Sequence, residues 1–188
     1  MGVRTAVRMA ATGFVALFVI SASQGSASAQ QFREFFESLL HQRLIATMQT
    51  NNEPLTAFTS DGCSAGMSKG WSFFAASFPA FAKVHGRTPP WEDCCVTHDR
   101  RYHAGPPRNA DAATSVGLRK AADEAARQCI IQTAARREQA LAAAYGISRR
   151  EVARIYRLIA DTTYEAVHAG GLPCTGLDWR WGFGLPNC

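Results

Sequence analysis

Residues 91–102 read Trp91-Glu92-Asp93-Cys94-Cys95-Val96-Thr97-His98-Asp99-Arg100-Arg101-Tyr102. On an α-helix, with about 100° per residue and Cys94 as origin, His98 falls at roughly 40°, Tyr102 at roughly 80°, Cys95 at roughly 100° and Asp99 at roughly 140°. One helical face therefore carries a histidine, a carboxylate, a phenol and two cysteines. Pro89-Pro90 precedes the stretch and Gly105-Pro106-Pro107 follows it, so a helix is predicted from Glu92 to about His103. Adjacent cysteines on a helix point apart and must be stapled to different elements. Bridges from both would fix this face rigidly, which is how chemistry is preorganised.

Working outward, Asp111 onward is rich in Ala, Arg, Gln and Glu, and a long helix is predicted to about Tyr145, closed by Gly146. Ser148-Arg149-Arg150-Glu151 has the form of a capping box and opens a helix through Val167, stopped by Gly170-Gly171. Upstream, Phe32, Phe35, Phe36, Leu39, Leu40 and Ile45 recur at helical spacing, predicting an amphipathic helix over 31–48, ended by Asn51-Asn52-Glu53-Pro54. Thr59 to Trp71 is Ser- and Gly-rich and reads as a loop, with Gly62, Gly66 and Gly70 placed for tight turns. Trp71, Phe73, Phe74, Phe78 and Phe81 follow with no regular period. From Leu172 the tail holds Cys174, Cys188, Trp179, Trp181 and Phe183, again without a period, and a bridge between its cysteines would give it a structure. No segment alternates as a strand, so the fold class is mainly α, a single domain over 30–188.

With 47% apolar and 19% charged residues, the 188-residue chain has the composition of a folded protein. Its first 29 residues look like an export signal: Arg4 and Arg8, an apolar run from Met9 to Ile20, and Ala27-Ser28-Ala29 before Gln30. The run is too short for a bilayer span. Removing it takes two positive charges from a formal +5 and leaves +3. That is too little, and too dispersed, for a nucleic-acid partner. All six cysteines lie beyond the signal, and an even number in an exported chain predicts three disulfides among fifteen possible connectivities.

The pattern Cys94-Cys95-x-x-His98-Asp99, with Tyr102 four residues after the histidine, resembles the active-site helix of secreted phospholipases A2. Asp123, six residues before Cys129, resembles that family's partner helix. The resemblance implies two antiparallel active-site helices, with His98 as general base, Asp123 orienting it, Tyr102 supporting the pair and Asp99 as a calcium ligand. It further implies the bridges Cys94–Cys129, Cys63–Cys95 and Cys174–Cys188. Asp61-Gly62-Cys63-Ser64-Ala65-Gly66 resembles the family's calcium loop, and on that likeness the Gly62, Ser64 and Gly66 carbonyls and the Asp61 side chain join Asp99 around Ca²⁺. A glycine-rich loop turning carbonyls inward suits an ion that takes six to eight oxygens. The implied activity is secreted, calcium-dependent hydrolysis of the sn-2 acyl ester of glycerophospholipids at a membrane or micelle surface, by a monomer. A non-catalytic lipid- or protein-binding module on the same scaffold is the alternative. The likeness extends from Asp61 to Cys129, and the later helices have no assigned counterpart.

Other readings compete for the same residues. Zinc could be imagined on Cys94, Cys95, His98 and Asp99, but exported cysteines are usually oxidised and no second ligand pair is present. Asp111 rivals Asp123 as the orienting aspartate, although a helix start gives an acid an ordinary capping role. His41, His85, His103 and His168 have no partner pattern and read as surface or core histidines. The aromatics from Trp71 to Phe81 read equally as core or, if exposed together, as an apolar patch for a lipid interface.

Overall fold

The computed structural model describes residues 28–63 and 67–188. The expected signal lies outside these residues except for Ser28 and Ala29. The chain divides into two compact units, Met1–Leu39 and Leu40–Cys188. In the first, residues 28–39 are helical and expose Phe32, Phe35, Phe36 and Leu39.

The second unit is mainly helical, and among its described residues none forms a strand. Helical residues 40–50 (α1) are followed by α2 (Met67–Ser77), α3 (Pro79–His85), α4 (Glu92–Ala104), α5 (Ala112–Tyr145) and α6 (Arg149–Gly170). Three of these follow the sequence signals closely. The Asp111 side chain accepts from the Thr114 N–H and caps α5, and Gly146 closes that helix in the left-handed region at φ 64°. Ser148 and Glu151 form the reciprocal capping box that opens α6. Asp111 is thereby occupied as a cap and is no rival to Asp123.

Helices α2 and α3 depart from the expected irregular segment. Aromatic residues on several sides of α2 hide its apolar period, while Pro79, at the first helical position of α3, separates two short helices. Gly70, expected to turn, sits inside α2. Trp71 packs between the rings of Phe81 and Trp91, at 5.0 and 5.5 Å, which ties the pair of helices to the start of α4.

The three disulfides are Cys63–Cys95, Cys94–Cys129 and Cys174–Cys188. Along α4 the contacts climb from Cys94 through His98 to Tyr102 while on α5 they descend from Cys129 through Asp123 to Arg119, so the two helices run in opposite directions. Cys94, Ile130, Ala134, Val152, Tyr156 and Ala160 form the core that joins α4, α5 and α6. A second cluster, with Leu44, Met48, Tyr102, Ala122 and Trp181, seats α1 and the tail against the other ends of α4 and α5. Arg108 donates to the Met48, Asn51 and Glu53 carbonyls and so closes the C-terminal end of α1. Among the described residues no helix is long and apolar enough to cross a membrane.

Ile130 is fully buried on α5, whereas Leu158 on α6 is 68% exposed. Ile130→Ala should lower the unfolding free energy by about 2–5 kcal/mol, from lost burial plus the cavity left behind. Leu158→Ala should change it by less than about 0.5 kcal/mol. Urea denaturation with the disulfides intact measures both.

Candidate active site

Two turns of α4 bring His98 and Tyr102 onto the side facing α5, and α5 meets them with Asp123. All three are buried, Asp123 completely. The His98 Nε2–H donates to Asp123 Oδ1 at 3.0 Å, and the Tyr102 hydroxyl donates to the same oxygen at 2.5 Å. Because an ionised aspartate only accepts, neutral His98 carries its proton on Nε2 and leaves a lone pair on Nδ1. Burial pulls the His98 pKa down, but hydrogen bonds and charge from Asp123 and Asp99 outweigh it and raise the imidazole above its ordinary value. The Tyr102 phenol is pushed up, first by burial and then by the neighbouring carboxylate, so it remains a donor.

Beside the pair opens a cleft of about 280 Å³, lined by His98 and Asp99 together with Met67, Ile130, Thr162 and Trp179 among others. His98 Nδ1 lies 3.7 Å from Asp99 Oδ1, so this nitrogen and the second carboxylate share the opening. Most of the remaining wall is apolar, and it draws on α6 and the tail as well as α4 and α5.

Asp99 also meets the 60–63 loop, since its Oδ2 accepts from Ser60 Oγ at 2.6 Å. Gly62 turns that loop at φ 82° and donates its N–H to Ser60 Oγ. A β-carbon on Gly62 would stand 2.5 Å from Ser68 Oγ and 3.1 Å from the Glu92 carboxyl carbon, so only glycine fits there. Ser68 in turn accepts from the Cys63 N–H and donates to Glu92, which pins the loop to α2 and α4. Asp61 is exposed, next to Ser60. Ser64 and Gly66, two of the expected carbonyl ligands, lie outside the described residues. Among the described residues no three His, Cys, Asp or Glu side chains gather for a metal. The expected site asks for only two carboxylates, Asp99 and Asp61, with backbone carbonyls for the rest. Of those groups the described residues show Asp99, with the Ser60 hydroxyl on Oδ2 and His98 Nδ1 3.7 Å from Oδ1. A carboxylate and a hydroxyl are oxygen donors of the kind a hard cation takes. The two cysteines imagined for zinc are both in disulfides, which removes them as ligands.

The structure brings together His98, Asp99, Tyr102 and Asp123 as expected and adds residues that the sequence reading left aside. Arg119, buried one turn before Asp123 on α5, donates to Asp123 Oδ2 at 3.2 Å. His168, read from sequence as a surface or core histidine, places Nδ1 3.2 Å from the same oxygen. The Arg119–Asp123 spacing of four is a visible helical pair. Nothing in the sequence connects His168 to a residue 45 positions away. Ser60 was missed by one residue, since the loop signal pointed to Asp61. Comparisons with known protein families, with curated proteins and with solved structures give no match for this chain.

Gly171 closes α6 directly over Tyr102, and a β-carbon there would stand 2.5 Å from the phenol oxygen and 2.6 Å from the Val167 carbonyl. Gly171→Ala should therefore destabilise the protein by about 1–3 kcal/mol through overpacking. Gly70→Ala, on α2 with open space around it, should stabilise by about 0.4–1 kcal/mol. Thermal or chemical unfolding of the two variants checks the contrast.

Proposed function

We propose that this chain is a secreted, calcium-dependent phospholipase A2 that hydrolyses the sn-2 acyl ester of glycerophospholipids. The observation that carries the reading is the buried Asp123–His98 pair whose remaining nitrogen, Nδ1, faces a mostly apolar cleft beside Asp99. The arrangement fits the phospholipase A2-like pattern read from Cys94 to Tyr102, including its two disulfides and its oppositely directed helices.

In this reading His98 Nδ1 takes a proton from water, and the resulting hydroxide attacks the ester carbonyl. Asp123 holds the ring so that Nδ1 points at the cleft and stabilises the imidazolium that forms, as a buried carboxylate does in a hydrolase triad. Tyr102 fills one acceptor position of Asp123 and keeps water from it. The proton then passes from His98 Nδ1 to the leaving alkoxide. Ca²⁺, held by Asp99 with Asp61 and the carbonyls of Gly62, Ser64 and Gly66, would supply a Lewis acid for the ester carbonyl and a partner for the substrate phosphate. The apolar wall of Met67, Ile130 and Trp179 suits an acyl chain, and three disulfides suit an exported protein.

A lipid surface is the partner this reading requires, and α2 and α3 offer a place for it. Phe73, Phe74 and Phe78 are 72%, 53% and 51% exposed, while Trp71 and Phe81 are partly buried beneath them. Between Gly62 and Trp91 the sequence has Lys69, Lys83 and Arg87 and no acidic residue. The patch begins at Met67, on the rim of the cleft, so adsorption would present the opening to lipid.

Fatty-acid release from phosphatidylcholine vesicles should require calcium, stop with chelator and fall by at least about a hundredfold in His98→Gln. Release that persists in that variant would overturn the assignment of the base. The triple substitution Phe73→Ser, Phe74→Ser, Phe78→Ser should weaken vesicle binding, read by co-sedimentation, while turnover of a short-chain phosphatidylcholine dissolved as monomers is retained.

A further inference from the structure

The catalytic reading uses one oxygen of Asp123, yet the structure equips the other with partners of its own. Oδ1 faces His98 and Tyr102. Oδ2 faces Arg119 Nη1 and His168 Nδ1, each at 3.2 Å. We propose that Arg119 and His168 are positioning residues for the His98–Asp123 pair, holding the plane of the carboxylate so that Oδ1 stays aimed at His98 Nε2. The proposal rests on the hydrolase reading for its effect on turnover, though not for its effect on geometry.

The physical need is plain. The terminal torsion of an aspartate is soft and roughly two-fold, so two bonds to a single oxygen leave the carboxylate free to rock about it. Fixing the second oxygen removes that freedom. Arg119 suits the task because it is fully buried, sits one turn from Asp123 on the same helix, and shares Nη1 between Asp123 Oδ2, the His168 carbonyl at 3.1 Å and the Tyr102 oxygen at 3.4 Å. Its charge also compensates a carboxylate that would otherwise be buried without a counter-ion. The Tyr102 hydroxyl accepts from Arg119 and donates to Oδ1, so the hydrogen bonds close a ring around the carboxylate.

His168 comes from the last turn of α6, a helix outside the family likeness. Its ring stacks on Tyr164, with centroids 5.3 Å apart and planes 12° from parallel. Both the main chain and the side chain of residue 168 contact the site, the carbonyl through Arg119 and Nδ1 through Asp123. The C-terminal end of α6 is thus tied to the orientation of His98 without touching it.

The test is made on the full, disulfide-intact protein with two independent readouts. One is the downfield proton resonance of His98 Nε2–H, which reports the bond to Asp123. The other is the split between kcat and KM on a short-chain phosphatidylcholine dissolved as monomers. His168→Phe keeps a ring but removes the donor, and it should broaden or shift the resonance and lower kcat by about tenfold with KM unchanged. His168→Asn places an amide N–H where Nδ1 stood and should restore most of both. Arg119→Lys should retain more of the resonance than Arg119→Gln. A resonance and kcat in His168→Phe equal to those of the unaltered chain, whatever its melting temperature, would overturn the proposal. If no form hydrolyses the ester, the hydrolase reading fails, and the resonance alone still decides whether Arg119 and His168 hold the pair.

Discussion

A carboxylate with no exposure to water is the constraint on which this structure turns. Asp123 is wholly buried and receives hydrogen bonds from His98, Tyr102, Arg119 and His168. Burying such a charge unaided costs far more than a domain can spare, and partners have to converge on it from several directions. Here α4 supplies two, α5 supplies one and α6 supplies one. Three helices are thereby obliged to keep one mutual arrangement, and the site is a product of their packing as much as of any single motif.

The disulfides serve the same end from outside. Cys94–Cys129 fixes α4 to α5 on one side of His98, and Cys63–Cys95 fastens the loop that meets Asp99. On the other side of the pair no bridge is present; packing of Tyr102 with Leu44, Ala122 and Trp181 replaces it. Cys174–Cys188 acts at one remove, shaping the tail that delivers Trp181 to this cluster and Trp179 to the cleft. Covalent and apolar constraints thus flank a polar centre that could not organise itself.

What the sequence made legible follows from how local each signal is. The helix from Glu92, the long helix capped by Asp111 and the Ser148–Glu151 box depend on residues within one turn of each other, and the structure has all three. His98, Asp99 and Tyr102 share a face by simple helical arithmetic, and the pairing with Asp123 was implied by the resemblance that Asp123 and Cys129 carry. Residues whose place depends on tertiary packing were not legible. His168 acquires its partner only when the far end of α6 returns to the site. Helices α2 and α3 were obscured because their aromatics serve two surroundings, Trp71 and Phe81 packing inward while Phe73, Phe74 and Phe78 stay exposed. The Ser60 contact with Asp99 was likewise not legible, because it depends on how the loop folds back onto α4.

In the proposed hydrolysis, the asymmetry around His98 is what lets a base work in so closed a setting. A buried imidazole bonded on both nitrogens would be inert, and one bonded on neither would rotate. Here Nε2 is fixed by Asp123, while Nδ1 lies in a cleft whose wall is mostly apolar and whose nearest charged group is Asp99. The negative charges on either side favour the imidazolium, which is the form the ring must pass through in the proposed hydrolysis. Arg119 sits behind the carboxylate on Asp123 Oδ2 and balances its buried charge from the side away from Oδ1. The same cluster that costs the fold most to bury is what allows one nitrogen to remain available for chemistry.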